Sequence, residues 1–370
     1  MKPKQTLPSG RYVPQLDGLR GVAIVLVLSY HFFPAFSVSK IGWSGLDLFF
    51  VLSGYLLTGR LLPYINQKKI IYKFYQNRFL RIVPLYFGFL LLFFAGWFFL
   101  SSAATISNNP FYSRHWWQFL LFFQNWVYIF DGPKSIDYLN HFWSLAVEEQ
   151  YYIFFPFSIL ALGTAKYLLR FSLVLIILVV ISRYYFYLNF TNGDYLKVYW
   201  NSFFRLDSFF IGILLYSVVA IYKEKLRKYF RNFFFLTLVI FIAGVCFSGG
   251  FDKNDDFIVI LGHTLISILF AYIIYLVVIH KKGIVYTCLS SRFLVFTGRI
   301  SFGMYIIHWP LFLLGFKYIS SGYTALHIPA DPSLIHYTNV FIAIILSYIF
   351  GYLSFTYYES FFMKFKSRYK

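Results

Sequence analysis

Charged residues are scarce in this chain. Asp, Glu, Lys and Arg make up 13% of the 370 residues, and only 14 residues are acidic. Soluble domains carry about a quarter charged residues, so this composition excludes a protein whose whole surface faces water. Cysteine is nearly absent as well. Because Cys246 and Cys288 fall at opposite ends of the topology inferred below, the sequence implies neither a disulfide between them nor a thiolate metal site.

Apolar and aromatic residues dominate instead, at 59% and 24% of the chain, and the mean hydropathy is +0.64. Apolar stretches recur near the length of about 20 residues that crosses a bilayer as a helix. The sequence therefore predicts an all-α fold, a polytopic membrane helical bundle. We expect about ten transmembrane helices, at residues 16–36, 41–65, 82–101, 141–163, 166–187, 202–222, 232–249, 257–279, 296–318 and 335–362.

Positive charge, +19 net, is concentrated in short loops beside the apolar runs, a pattern that sets membrane orientation. We therefore expect a multi-pass protein of the cell inner membrane or plasma membrane, with cytoplasmic termini, membrane lipids around it and no nucleic-acid partner. Counting the apolar segment 107–130 as a span would place the lysine-rich loops outside, so we predict that it is re-entrant or interfacial. The chain, 1–370 with a core at 14–362, is predicted to be one integral-membrane domain without a separate soluble domain.

Ionisable residues on the predicted spans fall into two layers. Charges are costly in hydrocarbon, so those that remain usually face a protein-lined cavity and indicate function. The cationic layer lies near the cytoplasmic ends, and the acid/base layer lies deeper. The first comprises Arg20, Arg78, Arg81 and Arg299, and the second His31, Asp47, Glu148, Asp207 and His308. Four cations on one side are enough to bind a polyphosphate, and no metal site is predicted.

Arg20 and His31 lie on the first predicted helix, in "LDGLRGVAIVLVLSYHFF". Their spacing of eleven residues advances about 16 Å and completes nearly a whole number of turns, so both side chains share one face. An unperturbed imidazole titrates near neutral pH, which makes His31 the leading candidate for proton transfer. The alternatives are a buried, hydrogen-bonded His31 and an Arg20 that pairs with Asp17 three residues earlier.

Arg78 and Arg81, in "FYQNRFLRIVP", are three residues apart and adjacent on a helix, with guanidinium groups suited to phosphate oxygens. The alternative is that both only anchor the helix at the inner membrane surface. In "HFWSLAVEEQYYIFFP", Glu148 is the favoured acidic candidate, and Ser144 and Tyr152 lie four residues to either side of it. The alternative role for Glu148 is to pair with a buried arginine.

Four further candidates come from other spans. Asp47, in "WSGLDLFFVLSGYLL", is placed to orient an imidazole or a sugar hydroxyl. Arg205 and Asp207, in "FFRLDSFF", either contact substrate near an outer end or pair with each other. His308 precedes Pro310 at a predicted kink, where a structural role is commoner than a catalytic one. The substrate-binding candidates are therefore Ser144, Tyr152, Arg205, Asp207 and His308.

Five ordered motifs, "LDGLRGVAIVLVLSYH", "GLDLFFVLSGYLL", "NRFLRIVPLY", "SLAVEEQYY" and "SFGMYIIHWPL", resemble the motif series of the acyltransferase 3 membrane family over residues 14 to 362. The family's arginine and histidine signature falls on Arg20 and His31. Its paired-arginine motif falls on Arg78 and Arg81, and its glutamate region corresponds to Glu148 and Glu149, with Glu148 the favoured equivalent.

The resemblance implies transfer of an acyl group, commonly acetyl, from cytoplasmic acyl-CoA to an extracytoplasmic carbohydrate. Such acceptors include exopolysaccharide, O-antigen and other envelope glycans, some of them lipid-linked. Some relatives carry an extra extracytoplasmic hydrolase-like domain that assists transfer. We expect this chain to act alone or with a separate extracytoplasmic acyltransferase partner. The alternative functions are a transporter that uses an intramembrane proton relay and a passive envelope scaffold. Arg20 and His31 have no evident purpose in a scaffold.

Overall fold

The computed structural model describes residues 12–101, 110–132, 137–223, 225, 227–327 and 331–366. This part of the chain is helical and contains no β-strand, which confirms the all-α prediction. The helices are α1 (Pro14–Phe32), α2 (Gly45–Leu61), α3 (Ile70–Ser101), α4 (Pro110–Leu120), α5 (Gln124–Phe130), α6 (Trp143–Leu162), α7 (Ala165–Phe190), α8 (Leu196–Tyr199), α9 (Leu206–Tyr222), α10 (Arg227–Ser248), α11 (His263–Tyr275), α12 (Ile284–Leu289), α13 (Arg292–Ala325), α14 (Pro332–Leu353) and α15 (Ser360–Met363).

Each predicted span coincides with a long helical segment. Several are extended by tighter or wider turns: a 3-10 segment (Ser37–Ser44) precedes α2, and π segments flank α11 (Ile258–Gly262 and Leu276–His280) and follow α14 (Ser354–Glu359). Within the described ranges, eight of the long segments are long and apolar enough to cross a membrane. The other two are α1 and α6. They carry the ionisable residues that the sequence singles out, and those residues lower their hydropathy.

The segment predicted to be re-entrant or interfacial forms two short helices. They are α4 and α5, of 11 and 7 residues, separated by Leu121–Phe123. Neither reaches the length of about 20 residues that a membrane-spanning helix needs. Residues 107–109 of the predicted segment lie outside the described ranges.

Two compact units can be distinguished, and the prediction of one membrane domain stays a prediction. Within the described ranges, unit 1 comprises residues 12–71 and 147–298, and unit 2 comprises residues 72–146 and 299–366. In unit 1, helices α7 and α10 turn apolar side chains such as Leu178 and Val239 outward, as lipid-facing helices do. Cys246 and Cys288 are both exposed and free.

Helices α2 and α9 pack backbone to backbone in the interior of unit 1. A methyl group on Gly54 would lie 2.0 Å from the carbonyl oxygen of Phe209, and one on Gly212 would lie 2.2 Å from that of Val51. Small residues at such crossings let membrane helices approach closely. The short distance between α2 and α9 allows the polar side chains of both helices to meet.

Unit 2 contains a buried region of aromatic and polar side chains, which joins α3 to α4 and α5. Tyr86 of α3 donates a hydrogen bond from its hydroxyl to the carbonyl oxygen of Phe119, over 2.8 Å. The amide of Gln124 donates to the carbonyl oxygen of Phe142 and to the Tyr86 hydroxyl. These bonds hold α4 and α5 against α3, since Gln124 and Phe119 belong to the two short helices.

The close crossing predicts that Gly54→Ala destabilises the protein by about 1–3 kcal/mol, because the added methyl group overlaps the α9 backbone. Gly96→Ala is the matched control, since nothing lies within 4 Å of the added methyl group there. Thermal unfolding of the purified variants in detergent measures the difference. An equal change in Tm for both variants would contradict the packing described for α2 and α9.

Candidate active site

The two signature residues of the first helix lie on an unbroken α1. Arg20 is near its start, where Nη1 lies 2.6 Å from Oδ1 of Asp17, and the Tyr12 hydroxyl donates to Oδ2 of the same carboxylate. This ion pair is the alternative that the sequence left open for Arg20. A guanidinium has five N–H donors, so the pair leaves Arg20 able to bind a phosphate as well. That role stays a prediction.

His31 lies in the last turn of α1 and is partly buried. Its ring meets that of Tyr30 edge to face, with centroids 5.5 Å apart. An imidazole that keeps some access to solvent or ligand is able to exchange a proton, as a general base must.

Glu148 sits in a hydroxyl cluster that joins α2 and α6. Its Oε1 accepts hydrogen bonds from Ser53, over 2.8 Å, and from Tyr152. Among the described residues, none forms a hydrogen bond with its second carboxylate oxygen, Oε2. The contact with Tyr152 fits the predicted spacing of four residues, whereas the contribution of Ser53 was not predicted.

Asp47 lies fully buried in α2 and binds three side chains of unit 1. Oδ1 accepts from Arg205 over 2.7 Å and from Ser208 over 3.0 Å, and Oδ2 lies 3.2 Å from Nδ1 of His263. The imidazole that Asp47 contacts is that of His263, a residue that the sequence analysis does not name, and a catalytic role for Asp47 stays a prediction.

The partners of Arg205 and Asp207 differ from the mutual pair that was considered. Arg205 binds Asp47, while Asp207 lies 3.0 Å from Nη1 of Arg183 and accepts from the Thr264 hydroxyl. Residues two apart on a helix do not face each other, which explains why the neighbours in sequence take separate partners. We call Asp47, Arg183, Arg205, Asp207 and His263 the buried charge network.

Arg183 is the residue of this network that sequence reasoning missed most completely. It is fully buried in α7 and donates to the carbonyl oxygens of Ile260 and Phe204 as well as to Thr264. Ile260 lies inside the π segment that precedes α11, where a wider turn alters the regular helical hydrogen bonding. The signal in the sequence was a lone arginine inside an apolar run of α7.

The predicted donor-binding arginines of unit 2 lie on two helices. Arg78 and Arg81 are one turn apart on α3, and Arg299 is on α13. The guanidinium of Arg78 lies over the Phe74 ring at 6.0 Å, and Arg81 is close enough to Glu359 to act on it electrostatically. Arg78 and Arg81 are therefore neighbours on one helix, and their donor-binding role stays a prediction.

His308 and Ser144 belong to a buried cluster of unit 2. Nδ1 of His308 donates to the carbonyl oxygen of Tyr305 over 2.7 Å, and its ring centroid lies 5.0 Å from that of His141. The Ser144 and Tyr305 hydroxyls are hydrogen-bonded to each other. These contacts suit a structural role for His308.

Unit 1 has a basic groove, whose lysines and arginines indicated only the membrane orientation at the level of the sequence. It has a volume of about 660 Å³ and is lined by Lys225, Arg227, Lys228, Arg231 and Lys282, among others. Its charge suits an anion. No group of three or more metal-binding side chains occurs in the part of the chain that the structure describes.

The fold and the ionisable residues define a multi-span membrane protein with acid/base and cationic groups on its helices. The chain belongs to the acyltransferase 3 family, whose acyltransferase domain matches residues 13–357. The match covers nearly the whole chain. It confirms the resemblance carried by the five sequence motifs.

Curated relatives from two bacteria show the same likeness. The chain is 28% identical to the O-acetyltransferase OatA of Staphylococcus aureus (strain NCTC 8325 / PS 47) over 340 residues, 85% of this chain and 53% of that protein. It is 31% identical to the "Putative peptidoglycan O-acetyltransferase YrhL" of Bacillus subtilis (strain 168) over 323 residues, 82% of this chain and 49% of that protein. The chain spans about half the length of these relatives, and no solved structure matches it.

The buried charge network predicts that Asp47→Ala costs about 3–5 kcal/mol of stability, because the substitution leaves the Arg205 charge buried without its carboxylate. Thermal unfolding in detergent is the measurement. Asp131→Ala is the matched control, since the Asp131 carboxylate is exposed and its contacts with Arg114 and His115 contribute little there. A Tm for Asp47→Ala equal to that of the control would show that the network does not stabilise unit 1.

Proposed function

We propose that the protein is a membrane O-acetyltransferase that moves an acetyl group from acetyl-CoA to a hydroxyl of an envelope glycan. The observation that carries this proposal is the family match over residues 13–357, which includes every candidate residue. The names of the relatives support an acetyl donor and, for the Bacillus protein, a peptidoglycan acceptor. A cell-wall glycan of this kind is favoured over O-antigen or exopolysaccharide.

The donor is proposed to bind at the cytoplasmic ends of the helices. Coenzyme A carries a diphosphate and a ribose phosphate, and adjacent guanidinium groups bind such oxygens through paired hydrogen bonds. Arg78 and Arg81 are adjacent on α3 and would hold these phosphates, with Arg20 and Arg299 as further cations. Arg20 at the start of α1 and His31 at its end are separated by about 16 Å along the helix axis.

His31 is proposed to act as the general base. It takes the proton of the acceptor hydroxyl while the hydroxyl oxygen forms a bond to the acyl carbon. The carbon–sulfur bond of the thioester then breaks, and the proton passes to the departing coenzyme A thiolate. The overall reaction consumes no net proton. Glu148, held by Ser53 and Tyr152, is proposed to orient the imidazole or the acceptor through its second carboxylate oxygen.

Two expectations of the sequence analysis remain part of this proposal. We place the protein in the plasma or inner membrane with both ends of the domain on the cytoplasmic side. A separate extracytoplasmic partner is proposed as an optional component. Transport is not favoured, because the acyltransferase family match covers nearly the whole chain and the relatives carry O-acetyltransferase names.

The base assignment predicts that His31→Ala lowers kcat for acetyl transfer by at least about 100-fold, the usual contribution of a general base. The assay uses purified protein in liposomes with labelled acetyl-CoA and peptidoglycan fragments. His336→Ala is the matched control, because His336 is also partly buried and lies outside the candidate site. Full activity of His31→Ala would overturn the assignment, and unmodified glycan crossing the membrane would favour transport.

The donor assignment predicts that replacing both Arg78 and Arg81 with Ala raises KM for acetyl-CoA by about tenfold or more, because each lost charge-assisted hydrogen bond is worth about 1.5–3 kcal/mol. The KM of the acceptor should stay constant. The control replaces Arg227 and Arg231 of the basic groove. Equal weakening of donor and acceptor, or a larger effect from the groove variant, would contradict phosphate binding at Arg78 and Arg81.

A further inference from the structure

The loop between α10 and the π segment before α11 places a lysine among tyrosine rings. Nζ of Lys253 lies 4.9 Å from the ring centroid of Tyr199, 5.0 Å from that of Tyr30 and 5.8 Å from that of Tyr195. Cations at such distances are attracted by the negative faces of aromatic rings. We call Tyr30, Tyr195 and Tyr199 the tyrosine cage.

The cage is held in place by contacts on both sides. Trp43 donates from its indole nitrogen to the carbonyl oxygen of Phe251, over 3.0 Å, which fixes the start of the loop. On the other side, the Tyr199 ring lies 5.2 Å from the Arg205 guanidinium and 5.5 Å from the His263 ring. The cage is therefore built against the buried charge network.

The ammonium group keeps hydrogen-bonding capacity that the cage cannot use. Ring faces attract its charge, but its three N–H donors need oxygen or nitrogen acceptors. In the ranges described, no protein oxygen lies within hydrogen-bonding distance of Nζ, and no carboxylate lies within 4 Å of it. Burial lowers the pKa of Lys253 to about 8, while neighbouring Asp252 opposes this shift. The group is thus a half-buried cation whose donors are open to a ligand.

Its position relates this cation to the proposed reaction. Tyr30 directly precedes His31 on α1, and the two rings are 5.5 Å apart. Together with the distance from Nζ to the Tyr30 ring, this puts Lys253 Nζ at most about 10.5 Å from the centre of the His31 ring. We propose that Lys253 and the tyrosine cage form an acceptor subsite that binds a carboxylate group of the glycan whose hydroxyl reacts at His31. This inference rests on the proposed function.

The surroundings favour a carboxylate over a phosphate. The subsite has one cation, and its own loop carries three acidic residues, Asp252, Asp255 and Asp256. Like charges brought together are costly, so a singly charged carboxylate is accommodated more easily than a doubly charged phosphate. The tyrosine rings around the ammonium also offer apolar surface to the carbon–hydrogen faces of a sugar.

The test compares two acceptors that differ in one group. One is a neutral N-acetylhexosamine oligosaccharide, and the other is the same oligosaccharide with a carboxylate-bearing lactyl ether. Lys253→Met should raise KM for the carboxylate acceptor about tenfold, because a charge-assisted hydrogen bond is lost, and should leave kcat and the neutral acceptor unchanged. Lys253→Arg should restore most of the loss. Lys40→Met, at an exposed lysine, is the matched control.

An equal KM change for both acceptors, or no change for either, would overturn the subsite. If the wild-type protein acetylates neither acceptor, the proposed function fails, and calorimetric binding of the two oligosaccharides without donor still tests the subsite. Tenfold weaker binding of the carboxylate oligosaccharide to Lys253→Met supports it, and equal binding overturns it. In competition, acetate should displace this oligosaccharide more effectively than inorganic phosphate, and the reverse order would contradict the carboxylate assignment.

The pH dependence gives a readout that a structural role would not produce. As pH rises from 7 to 9, Lys253 loses its proton, so the KM advantage of the carboxylate acceptor over the neutral one should fall. The other titratable groups that face Nζ are Tyr30, Tyr195, Tyr199 and Asp252, and burial raises the pKa of Tyr195 to about 12. Taking the ratio of the two KM values removes any effect of pH that the two acceptors share. A ratio independent of pH would contradict the subsite.

Discussion

Charge buried in an apolar interior must be compensated where it lies, and this constraint governs unit 1. The carboxylates of Asp47 and Asp207 are each matched by an arginine from another part of the chain, Arg205 and Arg183. An unpaired charge there would be far costlier than a lost surface contact, so the pairs fix how α2, α7 and α9 meet. Through His263 and Tyr199, the same pairs support the region next to the end of α1.

The architecture was largely predictable because the membrane imposes it on composition. The length of the apolar stretches predicts the membrane spans, and each predicted span is found as a long helical segment. The departures have a common origin: α1 and α6 are less hydrophobic than a simple span because they carry Arg20, His31 and Glu148. The positions of Arg20, His31, Arg78 and Arg81 on their helices were also predictable, since helical spacing alone relates residues within one helix, and their roles stay predictions.

Contacts between distant segments were beyond sequence reasoning. Arg205 and Asp207 are neighbours in sequence, yet their partners come from α2 and α7, and no local pattern identifies these. Arg183 donates a hydrogen bond to the carbonyl oxygen of Ile260, which lies in a π segment. The sequence does not indicate where this wider helical turn occurs. In the sequence, Lys253 is one basic residue in an acidic loop, and only the packed structure shows the tyrosine rings around it.

The central claim is that an acetyl group passes from a donor on one side of the membrane to an acceptor on the other, along the face of α1. Proteoliposomes with acetyl-CoA sealed inside and glycan outside, sorted by protein orientation, test it most directly. The account predicts transfer only where the lysine-rich loops face the donor. Transfer that requires donor and acceptor on the same side of the bilayer would contradict it.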